Sequence, residues 1–286
     1  MAWTINNGKL YFNSVLYTGN GGTQSITGVG FQPDWVWLKS RTSTKDHMLF
    51  DAVRGVQKSI RTNQDIVEDT GTGYLTAFGT DGFTLGDNGK VNENSANFAS
   101  WNWLAAGTAP SNTYAVKVVS DTGNKYRFDD FGTSAVTLEI SEGGTFTFDQ
   151  SDSSNSGHPL RFSTTSDGSH GGGSEYTTGV TTNGTPGNAG AYTRITVAAS
   201  APTLYYYCTA HSGMGGQANT PVTNSFSNFA GSIQSNISPN TTSGFSVVTY
   251  TGAGSAGTIG HGLNAVPSMY VVKILSGRTG DWLVYH

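Results

Sequence analysis

The residue types best suited to chemistry in this chain fall in one short run, Tyr205-Tyr206-Tyr207-Cys208-Thr209-Ala210-His211-Ser212-Gly213-Met214. Cys208 is the only cysteine among 286 residues, so an internal disulfide is excluded. Its sulfur is a buried small hydrophobe, a ligand or a nucleophile. The spacing C-x2-H-x2-M sets a thiolate, an imidazole and a thioether close together, and these ligand types suit copper. Thiolate and imidazole suit zinc as well. Upstream, His158 stands in Gly157-His158-Pro159-Leu160-Arg161-Phe162 and offers a second imidazole. Two imidazoles and a thiolate with a weak axial thioether are the blue-copper ligand set, here His158, Cys208, His211 and Met214.

Strands must carry these side chains. Alternation along Leu204–Cys208 puts Leu204, Tyr206 and Cys208 on one face, so a core-facing Tyr206 aims Cys208 into the end of the same core. Gly213, Gly215 and Gly216 let the following loop fold back on itself. His158 precedes the strand Leu160-Arg161-Phe162 and is expected to enter from the opposite sheet. Further strands are expected around residues 114–119, 136–140, 145–148 and 192–197, making one sandwich-sized domain over 113–222. Residues 164–190 read as a long Gly/Ser/Thr-rich loop, 215–222 as polar and weakly strand-like, and 223–244 as a Ser/Asn-rich linker.

Composition agrees with an all-β chain. Short Val/Thr/Tyr/Phe runs are broken by Gly, Asn and Asp. Charged residues make up 12%, about half the usual share. Aromatics also reach 12%, which argues against disorder. The net charge is −4 and no basic stripe is present, which argues against nucleic-acid binding. No apolar run has the length of a membrane span. The first seven residues lack a charged and an apolar region, so synthesis in a cytoplasm without a signal peptide is expected. Gly252, Gly254 and Gly257 spell G-x-G-x-x-G, but the sequence that follows is strand-like, which argues against a dinucleotide site. No nucleophile triad, P-loop or HExxH motif is found, and the expectation is a protein that is not an enzyme.

The chain also repeats itself. Tyr17-Thr18-Gly19-Asn20-Gly21 returns as Tyr250-Thr251-Gly252-Ala253-Gly254, Trp35–Lys39 as Met269–Lys273, and Asp46–Phe50 as Asp281–Tyr285. Residues 245–286 therefore read as an incomplete second copy of 12–107, with the chain a piece of a longer repeat protein. Within the first copy, strands are expected near 14–18, 34–39, 47–51, 74–78, 82–85 and 98–104. Trp101 and Trp103 share a strand face, which reads as sandwich core rather than a ligand-stacking platform.

Residues 12–107 resemble a domain recurrent in structural and tail-fibre proteins of marine tailed phages. The resemblance rests on Tyr17–Gly21, Gly30-Phe31-Gln32-Pro33-Asp34, Leu49-Phe50-Asp51-Ala52-Val53-Arg54-Gly55, Asp81–Gly86 and Trp101–Gly107. It implies a place on the virion surface, partners among other virion proteins or a host-surface receptor, and a homo-oligomer such as a trimer. Residues 113–222 resemble the cupredoxins. The matching pieces are Leu138–Phe148, Gly157–Phe162 and Tyr205–Gly215, in the family's order. That resemblance implies one mononuclear copper ion held by His158, Cys208, His211 and Met214, with Tyr207 an exposed aromatic beside it. The expected fold is all-β and multidomain: β-sandwich repeat units with an inserted cupredoxin-like Greek-key sandwich. The expected function is a virion structural or host-attachment protein with a copper-binding module. The alternative is a soluble blue-copper electron-transfer or copper-carrier protein.

Overall fold

The structure is a computed structural model and describes residues 7–107 and 109–286. The segment inspected for a signal peptide lies, up to position 6, outside the described residues. The regular structure of the described residues is nearly all strand, and these residues divide into two compact units. Among them, no helix is long and apolar enough to cross a membrane.

The first unit takes in residues 7–107, 238–247 and 262–286. Its strands are β1 (Phe12–Thr18), β2 (Gln24–Thr27), β3 (Trp35–Ser40), β4 (Met48–Asp51), β5 (Lys58–Arg61), β6 (Asp69–Thr70), β7 (Leu75–Gly79), β8 (Gly82–Leu85) and β9 (Asn97–Trp103). They form a six-stranded sheet, β1-β9-β3-β4-β5-β6, and a three-stranded sheet, β2-β8-β7. The alternation of β3 shows why. Val36 and Leu38 are fully buried in one core cluster with Ile26, Leu75, Phe83 and Leu85 of the smaller sheet. Trp35, Trp37 and Lys39 take the other face. The pair Trp101 and Trp103, expected in the sandwich core, lies on that outer face opposite Trp37 and Trp35 and is half-buried. The register of β9 assigns Phe98, Ser100 and Asn102 to the core side instead. Trp35 and Trp103 are covered by Phe245, with ring centroids 6.0 and 6.2 Å away.

The motif residues of this unit act as latches. The Asp34 carboxylate accepts from the backbone N–H of Ala105 at 2.7 Å and of Gly107 at 2.9 Å. Buried Arg54 pairs with Asp51 at 2.6 Å and with Glu68 at 2.9 Å. Those partners supply the charge compensation that a guanidinium needs away from water.

The second unit takes in residues 109–237 and 248–261. Its strands are β10 (Ser111–Ser120), β11 (Asn124–Phe128), β12 (Leu138–Glu139), β13 (Thr145–Asp149), β14 (Leu160–Ser163), β15 (Val180–Asn183), β16 (Tyr192–Thr196), β17 (Leu204–Cys208), β18 (Gly216–Asn219) and β19 (Phe226–Asn228). One sheet runs β11-β10-β13-β16-β15 and the other β12-β18-β17-β14. The chain alternates between the two, with parallel pairings of β10 with β13 and β12 with β18. Tyr114, Tyr126, Phe128, Phe146, Phe148, Phe162 and Tyr206 fill the space between. Phe148 contacts Phe128 and Phe162 at centroid distances of 5.6 and 5.4 Å. Each such ring contributes about 1.5–3 kcal/mol through burial.

Two sequence expectations are corrected here. Residues 223–244 are not a linker: they hold β19 and β20 (Ser235–Asn240), and Phe226, Phe229 and Ile237 join the core. Three apolar anchors outweigh the Ser/Asn-rich composition around them. Residues 164–190 are not one long loop, because they contain a 3-10 turn, Gly168–Gly171, and strand β15. After β20 come β21 (Phe245–Tyr250), β22 (Tyr270–Val272) and β23 (Leu283–Tyr285); two of the four boundaries between the units fall within β20 and β21.

Candidate metal centre

β14 and β17 are antiparallel neighbours in one sheet, with Leu160 directly opposite Cys208. His158, two residues before Leu160, therefore reaches Cys208 from the adjacent strand and not from the opposite sheet as the sequence suggested. His158 Nδ1 and His211 Nδ1 each lie 3.8 Å from the Cys208 sulfur. Their ring centroids are 4.6 Å apart. One potential ligand atom from each of the three residues falls within 4.8 Å of the other two. Cys208 is fully buried, His158 half-buried and His211 exposed, so the sulfur is shielded and solvent reaches the cluster at the imidazoles, most at His211.

The backbone of His158 is fixed from below. Its carbonyl oxygen accepts from the Tyr126 hydroxyl at 2.8 Å and from Gln150 Nε2 at 2.9 Å. Gln150 Oε1 in turn accepts from the Leu160 N–H at 3.1 Å. The His158 N–H donates to the Asn155 carbonyl at 2.8 Å, and Thr209 N–H donates to the Pro159 carbonyl at 3.1 Å. Tyr126 and Gln150 carry no signal in the sequence beyond a core-facing tyrosine in β11.

The loop after Cys208 is held as firmly. The Met214 carbonyl accepts from the Tyr126 N–H at 2.9 Å, and the Gly213 N–H donates to the Asp167 carboxylate at 2.9 Å. Lys125 Nζ donates to the Gly213 carbonyl. Gly215 is required where the loop turns back, since a Cβ there would overlap the Tyr206 carbonyl. β18 then follows and pairs with both β17 and β12, although its sequence Gly216-Gln217-Ala218-Asn219 is polar. Only Ala218 needs to face the core, and it is fully buried. Met214 is buried at 1% exposure within the core cluster. Together with Asn124, His170, Ala210, His211 and Ser212 it lines an open depression.

Tyr207, expected to be exposed beside the site, is 2% exposed. The turn Gly168–Gly171 covers it so closely that a Cβ on Gly168 would overlap its ring. The same turn brings His170 Nε2 to 3.0 Å from the Cys208 carbonyl oxygen, so this exposed histidine has a partner. Gly252, Gly254 and Gly257 lie in an irregular stretch after β21 with no helix following among the described residues, in line with the sequence argument against a dinucleotide site.

Burial, reinforced by the nearby His211, pushes the His158 imidazole below its ordinary pKa. A neutral imidazole keeps a lone pair for a metal. Burial pushes the Tyr126 phenol up, and the Cys208 sulfur beside it adds to the shift. That tyrosine therefore stays protonated and able to donate.

The separations suit a metal ion. Bonds of about 2.3 Å to sulfur and about 2.05 Å to nitrogen that subtend about 120° give an S···N distance of about 3.8 Å, the value found on both sides of Cys208. A thiolate and two imidazoles meeting an ion at such angles would make a trigonal donor set of two nitrogens and one sulfur.

No characterised protein and no solved structure matches the chain. A family model does, over residues 7–126 and 217–286. The stretch it passes over, 127–216, contains His158, Cys208, His211 and Met214. On the strength of that match the chain belongs to the family described as a domain of unknown function, DUF7483, and it bears the candidate metal centre in a segment outside the family's shared sequence.

Proposed function

We propose that the second unit binds one copper ion through His158, Cys208 and His211, with the Met214 thioether as a weak fourth donor. The observation that carries this reading is the approach of two Nδ1 atoms to a single buried sulfur, each at 3.8 Å. The donor set is one soft thiolate and two borderline imidazoles, which suits copper and is accepted by zinc. Copper held there would supply a one-electron couple; the protein supplies a buried sulfur and two imidazoles nearer the surface. For the chain as a whole we propose a virion structural or host-attachment role, supported by the resemblance of residues 12–107 to phage structural domains. A second reading, electron transfer, is favoured by the exposure of His211 on an open depression, which gives a partner access to one ligand edge.

Native mass spectrometry after titration of the reduced protein with Cu(II) tests the copper reading. One copper per chain, lost in Cys208→Ser, is the expected outcome. No bound copper, or equal binding by Cys208→Ser, rules it out. Cell-surface binding that persists without copper favours attachment, whereas rapid reversible electron exchange with a soluble redox protein favours electron transfer.

A further inference from the structure

At Cys208, β17 runs past the end of its ladder with β18, which stops at Tyr206. On the other edge Leu160 of β14 faces Cys208, and the Thr209 N–H donates to the Pro159 carbonyl. That bond makes Leu160 and Cys208 a pair of the non-hydrogen-bonded kind, so the Cys208 carbonyl points away from β14. His170 supplies the missing donor: its Nε2 lies 3.0 Å from the Cys208 carbonyl oxygen. A carbonyl only accepts, so Nε2 carries the hydrogen. In the neutral imidazole this leaves the lone pair on Nδ1, which has no partner among the described residues.

His170 is held firmly in this pose. Its N–H donates to the Asp167 carbonyl at 3.1 Å, and the Gly173 N–H donates to the Gly168 carbonyl at 2.9 Å. The turn is so tight that a Cβ on Gly171 would overlap the Ser166 carbonyl. The His170 ring is exposed and borders the open depression with Asn124, His211, Ser212 and Met214. His211 gives its Nδ1 to the Cys208 side, which leaves Nε2 for the depression. Two imidazole nitrogens, an amide and a hydroxyl therefore border one open space, and a nitrogen and oxygen set suits Cu(II). Lys125 and Asp167 both bond to Gly213, so the loop carries one charge of each sign beside it. Solvent reaches the buried sulfur's cluster most readily at His211, on the rim where His170 stands.

On the copper reading of His158, Cys208 and His211, we propose that His170 and His211 form a second, surface metal site that receives Cu(II) before the Cys208 set does. His170 offers Nδ1 and His211 offers Nε2. His211 thus serves both sites with a different nitrogen for each. The surface site has no thiolate, so it holds the ion more loosely and exchanges it faster than the set that includes sulfur. His170 belongs, with the ligands, to the stretch 127–216 that the family model passes over.

The test begins with the intact Cys208→Ser chain, which has no thiolate, and follows its imidazole resonances during titration with Cu(II). His170 and His211 should broaden first, ahead of His47, His261 and His286. Adding His170→Gln should raise the Cu(II) needed to broaden His211 at least about tenfold. Glutamine keeps an Nε2 donor for the Cys208 carbonyl and removes only the ring nitrogen, which separates metal capture from structural support. In the chain with Cys208 present, stopped-flow absorption follows the thiolate-to-copper band. His170→Gln should slow its growth about tenfold or more and leave its final intensity at one equivalent unchanged. Broadening of His211 that is indifferent to His170→Gln, or a band that grows as fast in His170→Gln as in the parent, overturns the proposal. A parent with no band overturns the copper reading instead, and broadening in Cys208→Ser still decides the surface site.

Discussion

The Tyr126 hydroxyl donates to the carbonyl oxygen of His158 at 2.8 Å, so a strand of one sheet fixes the backbone of a candidate ligand on the other. The same carbonyl is shared with Gln150 Nε2. Tyr126→Phe therefore leaves the His158 carbonyl with the Gln150 donor alone. The expected cost is about 1 kcal/mol in stability and a loss of up to about tenfold in copper affinity. Gln150→Leu should cost more, since it also frees the Leu160 N–H. Urea unfolding and a competitive copper titration measure both. Equal, negligible effects on affinity would mean that the His158 backbone does not position the ring.

The turn Gly168–Gly171 closes over Tyr207, and Gly168 adopts φ 54° in the left-handed region. Gly168→Ala adds both strain and overlap with the Tyr207 ring. Destabilisation of about 1–3 kcal/mol is expected, together with faster exchange of the Gly213 amide, which Asp167 holds from the same segment. A variant as stable as the parent, with Gly213 exchange unaltered, would show that this turn does not support the ligand loop.

The stability of the first unit should depend on pH through His47. Burial, and then the charge of Lys39, hold its imidazole below the ordinary pKa of 6.5, with Asp46 opposing. The unfolded chain then binds the proton more readily than the folded one. Stability is full above the ordinary value and declines as pH falls through it toward the lower folded value. In metal-free protein the urea midpoint should drop between about pH 7.5 and about pH 5, and His47→Gln should lessen that drop. His158 shifts in the same direction, so a remaining slope in the variant is expected. An unchanged pH profile in His47→Gln would contradict the assignment.

How much of this was legible in the sequence depends on the kind of signal. The ligand spacing of Cys208 and His211 is local, and alternation sufficed to point Cys208 into the core. His158 was identifiable by type, but its sheet was not: which strands are neighbours is a long-range property, and Leu160 opposite Cys208 cannot be read from either segment alone. β18 was hidden because a strand paired on both edges needs one apolar residue, Ala218, where a helix or an isolated strand would need several. The Phe226 and Phe229 anchors were masked by the Ser and Asn around them. Tyr207 was misjudged for a related reason. Its cover comes from Gly168, nearly forty residues away, in a segment whose composition resembles a loop.

The central claim is that the Cys208 sulfur and the two Nδ1 atoms hold copper, and the visible absorption spectrum tests it most directly. Reduced protein titrated with Cu(II) should develop one intense thiolate-to-copper band that saturates at one equivalent and is absent in Cys208→Ser. A colourless protein at one equivalent, or a band that survives in Cys208→Ser, would contradict it.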